Sequence, residues 1–166
     1  MPIIHGARVL LRTISAKDRT RVREILATPE VARWWGDPDN ETEGLYAVED
    51  GFSSYVIELG GVFVGLIQSS EELDPLYRHA GIDIAVHPEF HGRGVGTDAL
   101  RALARHLLDN GHHRLTIDPA ASNEVAIRAY AKLGFRPVGV MRRYERGSDG
   151  TWHDGLLMDL LAGELR

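Results

Sequence analysis

The 166-residue chain contains no cysteine, which excludes a disulfide framework, a thiolate metal site and a cysteine nucleophile. No apolar run approaches the roughly 20 residues of a membrane-spanning helix. The opening stretch MPIIHGARVLLR has no signal-peptide pattern. A cytoplasmic protein without a membrane partner is therefore expected. No lysine is followed by serine or threonine, so a P-loop is absent. Positive charge is nearly missing from one stretch. Residues 34–90 hold twelve acidic side chains against a single basic one, Arg78. Residues 1–33 hold seven basic and three acidic groups, and residues 91–166 hold eleven and nine. The middle stretch is thus −11 and the flanks together +6, summing to the net −5. Nucleic-acid binders concentrate positive charge, so nucleic acid is not an expected partner. An acidic stretch of this kind serves either as a solvated surface or as a field that draws in a cation.

What is present is ordinary for a globular chain: 43% hydrophobic and 26% charged residues, at a length near that of one domain. VLLRTI (Val9–Ile14) reads as a strand. Ser15 is placed to cap a helix that brings Val22, Ile25 and Leu26 together, and Pro29 opens a short second helix, PEVARWW. Residues 36–51 read as an acidic loop. FSSYVIEL and VFVGLIQSS flank Gly60-Gly61 as a hairpin, and AGIDIAV follows the loop EELDPLYRH as another strand. A helix over about Gly94–Asn110 repeats Leu100, Leu103, Ala104, Leu107 and Leu108 at helical spacing. RLTI is a short strand. Ser122 is placed to cap a helix that Gly134 ends, and a final hairpin turns at GSDG. The order β-α-α-β-β-β-α-β-α-β-β describes one mixed α/β domain spanning residues 1–166.

HPEFHGRGVGTDALRAL places Gly92, Gly94 and Gly96 directly before the long helix. Small residues at a helix N-terminus let an anion approach backbone N–H groups, and Arg93 adds charge. A Rossmann glycine motif belongs in an early βαβ unit, whereas this one follows what reads as an antiparallel meander. By itself the triplet also suits a simple chain reversal. The run His91-Gly92-Arg93-Gly94-Val95-Gly96 resembles the signature of the GNAT superfamily of N-acetyltransferases: Gln or Arg, two residues, Gly, one residue, then Gly or Ala. Histidine replaces the usual first residue. The resemblance implies an antiparallel meander followed by β-α-β, with a splayed sheet forming the coenzyme A cleft. It implies acetyl-CoA as donor, coenzyme A as product, and a pyrophosphate held by amides of Gly92 to Thr97. The strand backbone at Ile84, Ala85 and Val86 would face the same cofactor, with the Val86 N–H polarising the thioester carbonyl.

TIDPAASNEVAIRAYAKLGF matches a second pattern of such enzymes through Asn123, Ala126, Tyr130, Lys132, Gly134 and Phe135. The resemblance assigns Asn123, Ala126 and Lys132 to the cofactor side and Tyr130 to protonation of the departing thiolate. Three patches resemble aminoglycoside 6′-N-acetyltransferases. VARWWGD carries Trp34 and Trp35, one expected in the core and one lining the cleft. AGIDIAV carries Asp83 as the expected base. TIDPAAS carries Asp118, which is also a plausible turn former before Pro119. Alternation sets Asp83 opposite Ile82 and Ile84. Asp154 is a further candidate for the acceptor side or a surface residue. A polycationic aminoglycoside suits carboxylates and flat apolar faces. The alternatives are a siderophore-type lysine amine, a protein N-terminus, or a non-catalytic acyl-CoA sensor. Eight histidines show no ligand spacing, so no metal is expected. A monomer or homodimer is expected.

Overall fold

A computed structural model describes residues 2–166. The strands are β1 (Ile4–His5), β2 (Val9–Thr13), β3 (Phe52–Leu59), β4 (Val62–Glu72), β5 (His79–Val86), β6 (Arg114–Ile117), β7 (Arg136–Arg146) and β8 (Trp152–Leu161). The helices are α1 (Arg19–Leu26), α2 (Pro29–Trp35), α3 (Pro38–Tyr46), α4 (Val95–Asp109) and α5 (Glu124–Leu133). One open sheet of eight strands runs β1-β2-β3-β4-β5-β6-β8-β7. Every neighbouring pair is antiparallel except β5 and β6.

The two sheet faces bury different helices. Leu11, Ile57, Ile67, Ile82 and Leu115 pack with Leu100, Leu103 and Leu107 of α4. Leu66 and Ala85 pack with Val22, Ile25, Leu26, Val31 and Leu45 of the first three helices. The neighbours Leu66 and Ile67 thus feed opposite cores, as strand alternation requires. By the same rule Asp83 shares its face with Ala85, beneath α1–α3, while Ile84 packs on the α4 side.

Two local expectations are corrected and one holds. Residues 36–51 are not all loop, because α3 forms within them. Pro38 occupies its first turn, and the Asp37 carboxylate accepts from the N–H groups of Asp39 (3.1 Å) and Asn40 (2.9 Å). Only Thr42 and Leu45 of α3 are buried, so there was little periodicity to read. Asn123, not Ser122, caps α5: its side-chain oxygen accepts from the Ala126 N–H at 3.3 Å. Ser15 caps as expected: it is the N-cap of a short turn, Ala16–Asp18, that runs into α1, and Asp18 completes a capping box by accepting the Ser15 N–H at 2.8 Å. Asp18 is also clasped by Arg12, which bridges it to Glu58. The two-residue β1 is an addition. Among the described residues no helix is long and apolar enough to cross a membrane.

Candidate active site

The glycine loop is built onto the end of β5. His91 donates from Nε2 to the Val86 carbonyl at 2.6 Å, so that nitrogen carries the proton. Histidine at the irregular motif position therefore ties the loop to the strand. Gly92 (φ 73°) and Gly94 (φ 76°) adopt left-handed backbone that other residues resist. Gly94 is the N-cap of the 15-residue α4, and no side chain caps it. A side chain at Gly94 would begin 3.1 Å from the Arg8 guanidinium, whereas Gly96 backs onto Val86 and Ile84 at ordinary contact distance. The Arg93 guanidinium lies 5.5 Å from the Phe90 ring centroid. Uncapped N–H groups, glycine backbone and two guanidiniums suit an anion such as a pyrophosphate. Val95 contributes only backbone there, since its side chain is buried in the core. Thr97 is half-buried in the first turn of α4.

Next to this loop the sheet opens. β5 and β6 are partners only at Ala80↔Leu115 and Gly81↔Thr116, and beyond Gly81 the strands part. The Ile84 carbonyl takes the Trp35 indole N–H at 3.2 Å, and the Val86 carbonyl takes His91. The His87 N–H bonds the Val64 carbonyl on the other edge. Within a strand, a residue's N–H and C=O point to the same edge, and successive residues alternate. The N–H groups of Ile84 and Val86 therefore line the opening. Ala85 does not: it pairs with Leu66, and its methyl group is buried under α1–α3.

Four carboxylates from four segments converge on the opening. Asp83 is pushed up to about 6, chiefly by desolvation, then by the charge of Asp118, with Glu145 adding to it. The Gln68 amide donates to Asp83 at 3.3 Å and works in the opposite direction. The Asp83 carboxylate is accessible to water, yet protein encloses it on most sides. Those two facts agree for a group on the floor of a concavity. Desolvation follows from the water displaced around the group, so the upward shift stands. Glu41, on α3, is raised by burial and then by Asp83, Glu145 and Asp37. Glu145, on β7, is raised by burial and then by Asp118. The Tyr144 hydroxyl donates to Asp118 and is pushed up to about 12, with that hydrogen bond as the largest cause. Tyr130 is held protonated by burial, then by the charges of Asp83 and Asp118. Its ring meets Phe135 edge-on at 6.5 Å.

Asp154 organises the strand pair beside the opening. Its carboxylate accepts the Arg143 N–H at 2.8 Å, and Arg143 has a left-handed backbone (φ 48°). The β7–β8 register breaks between Met141 and Glu145 at this bulge. A bulge re-aims the residues beside it, here Tyr144 and Glu145. Trp34 and Trp35 are both half-buried. Trp35 packs on the α1–α3 core and also lines a pocket of about 220 Å³ with Glu41, Glu49, Phe52 and Gln68. Trp34 instead lies under the Arg33 guanidinium at 4.5 Å. Lys132 is exposed in the last turn of α5, and Ala126 is half-buried in its first.

Sequence reading missed Glu41, Gln68, Tyr144 and Glu145. Gln68 had a usable signal, since it lies opposite Asp83 on the neighbouring strand. Glu41 sat in a segment read as loop, and Glu145 sat among arginines in RRYER.

The profile of the Acetyltransferase (GNAT) family matches residues 19–135. The chain belongs to this family. It is 30% identical over 155 aligned positions to an aminoglycoside N(6′)-acetyltransferase type 1 of Klebsiella pneumoniae, covering 80% of this chain and 76% of that one. RimJ of Mycobacterium smegmatis, in complex with CoA-disulfide, superposes with a TM-score of 0.87 at 27% identity, over 99% of this chain and 89% of that one. An aminoglycoside acetyltransferase crystallised with coenzyme A superposes with a TM-score of 0.76 at 26% identity, over 93% and 95%. The protein is an acetyl-CoA-dependent N-acetyltransferase of the GNAT type.

Proposed function

We propose that the acceptor is a polycationic small-molecule amine, and specifically the 6′-amine of an aminoglycoside. The observation that carries this reading is the convergence of Glu41, Asp83, Asp118 and Glu145 on one opening, each of the three shifted carboxylates raised in part by another of the four. Charges that raise each other's pKa are relieved by a cation, and one ammonium cannot serve four carboxylates. Trp35 and Phe52 beside Glu41 offer apolar faces to a sugar ring. Relatives named as aminoglycoside acetyltransferases support the same reading. Its biological consequence would be antibiotic resistance.

Acetyl-CoA supplies the activated acetyl thioester when bound. The glycine loop and the Val86 N–H orient it, the latter toward the acyl oxygen. Asp83 orients the attacking nitrogen and accepts its proton. An unperturbed alkylammonium has a pKa of about 10.4. Raising Asp83 from 3.8 to about 6 narrows the mismatch by about 2 units. The neighbouring acids hold the cation and also oppose its deprotonation, so burial of Asp83 matters. Tyr130 donates to the departing sulfur. Once Asp83 is protonated, one of the charges that holds the phenol's proton is gone. The first proton transfer thus assists the second.

The test is thiol release from acetyl-CoA across aminoglycosides, lysine hydroxamates and basic peptides. Turnover of aminoglycosides with mass addition at the 6′-amine is expected. Turnover confined to peptides or hydroxamates would replace the acceptor, and tight coenzyme A binding with no turnover of any amine would indicate a sensor.

A further inference from the structure

We propose that Arg8 is a second cationic contact for the pyrophosphate of acetyl-CoA, facing the glycine-loop amides; this rests on the reading that the loop holds the pyrophosphate. Arg8 lies 86 positions before Gly94 in the chain, and the fold joins the two by a specific device. The Asp98 carboxylate, in α4, accepts the N–H groups of Ala7 (2.8 Å), Arg8 (2.8 Å) and Val9 (3.0 Å). The turn between β1 and β2 is thereby fixed to the helix whose N-terminus the loop forms. From there the Arg8 Nη2 group donates to the Arg93 carbonyl. It lies where a side chain at position 94 would begin, and glycine leaves that space free.

The charge at this point is unmatched. Arg12, Arg19, Arg21 and Arg23 each form an ion pair with a carboxylate. Among the described residues Arg8 forms none, and it is exposed. Asp98 feels its charge, but both Asp98 oxygens already serve backbone N–H donors. A guanidinium carries five N–H donors in a rigid fork suited to phosphate. Only one contact, to a neutral carbonyl, is made here. The positive end of α4, which begins at Gly94, stands beside it. The Arg8 guanidinium and the uncapped helix N-terminus meet here with no ion-paired carboxylate on Arg8 among the described residues, and an anion is what would complement them.

The experiment measures calorimetric affinity of coenzyme A, dephospho-coenzyme A and pantetheine for wild type, Arg8→Gln and Arg8→Lys. Arg8→Gln keeps an N–H donor for the Arg93 carbonyl and removes the charge. It is expected to weaken coenzyme A and dephospho-coenzyme A by about tenfold or more, and pantetheine by less than about twofold. Arg8→Lys is expected to regain part of the loss. The thermal midpoint of the ligand-free variants should stay near wild type, because the Asp98 bonds use backbone. Three results would overturn the assignment. One is Arg8→Gln binding coenzyme A like wild type. Another is a loss seen with coenzyme A but not with dephospho-coenzyme A, which would move the contact to the 3′-phosphate. The third is equal loss in both variants, which would reduce Arg8 to a prop for the loop. Wild type that binds pantetheine as tightly as coenzyme A would instead overturn the loop reading itself.

Discussion

Replacing Asp83 with asparagine should make the protein more stable and less active at the same time. The Asp83 carboxyl is raised from 3.8 to about 6 in the native state, chiefly by desolvation. A carboxyl raised on folding favours the native state below its unfolded pKa. That contribution disappears as pH rises through the folded value. The window therefore runs from about pH 4 to about pH 6, and above it the native state carries the full cost of an ionised Asp83. A displacement of about 2 units corresponds to about 3 kcal/mol. Water reaches this carboxylate, so screening reduces the figure to about 1–2 kcal/mol. Asparagine keeps an oxygen for the Gln68 amide and removes the charge. For a chain of this size, about 2–4 °C accompanies each kcal/mol. The ligand-free variant should melt about 2–8 °C higher than wild type at pH 7.5 and together with it near pH 4, by scanning calorimetry in matched buffers. Its kcat/KM for an amine acceptor should fall about a hundredfold or more. A melting difference that is the same at both pH values, or a less stable variant at pH 7.5, would refute the argument.

Further outcomes follow from neighbouring groups. Asp118→Asn removes the second-largest cause of the Asp83 shift, so the acid limb of the kcat/KM profile should move to lower pH; a limb that stays in place would mean Asp118 does not act on Asp83. Tyr130→Phe should lower kcat about a hundredfold while leaving the thermal midpoint nearly unchanged, since the ring contact with Phe135 survives. Asp18, lowered from 3.8 to about 2 chiefly by Arg12, stabilises the fold above about pH 4, and this is lost as pH falls through about 2. Asp18→Asn should therefore cost about 2 kcal/mol in urea unfolding at pH 7 and little at pH 2.

Much of the framework was readable in the chain. The hairpin at Gly60-Gly61, the apolar period of α4 and the alternation of GIDIAV each depend on neighbours a few residues apart. The family match over residues 19–135 agrees with the motifs around Gly94 and Tyr130. What escaped depended on distant partners. α3 has almost no apolar stripe, and its first turn is organised by Asp37 and Pro38 rather than by burial. β1 is two residues long, and the turn after it is held by Asp98 some 90 positions away. Asp154 read as a possible acceptor ligand, and it holds the bulge at Arg143.

The sequence by itself determined most of the elements, though not α3 or β1, together with the glycine loop and the acidic excess of residues 34–90, because composition and short-range periodicity are local properties. It also marked Asp83 as pointing away from its isoleucine neighbours. Only the tertiary structure decided which acids meet. Glu41 and Asp83 belong to the acidic stretch, but Asp118 and Glu145 come from the basic flank. Net charge along a chain does not report which carboxylates share one opening. That depends on the parting of β5 from β6 and on the bulge in β7, and both are set by long-range strand pairing.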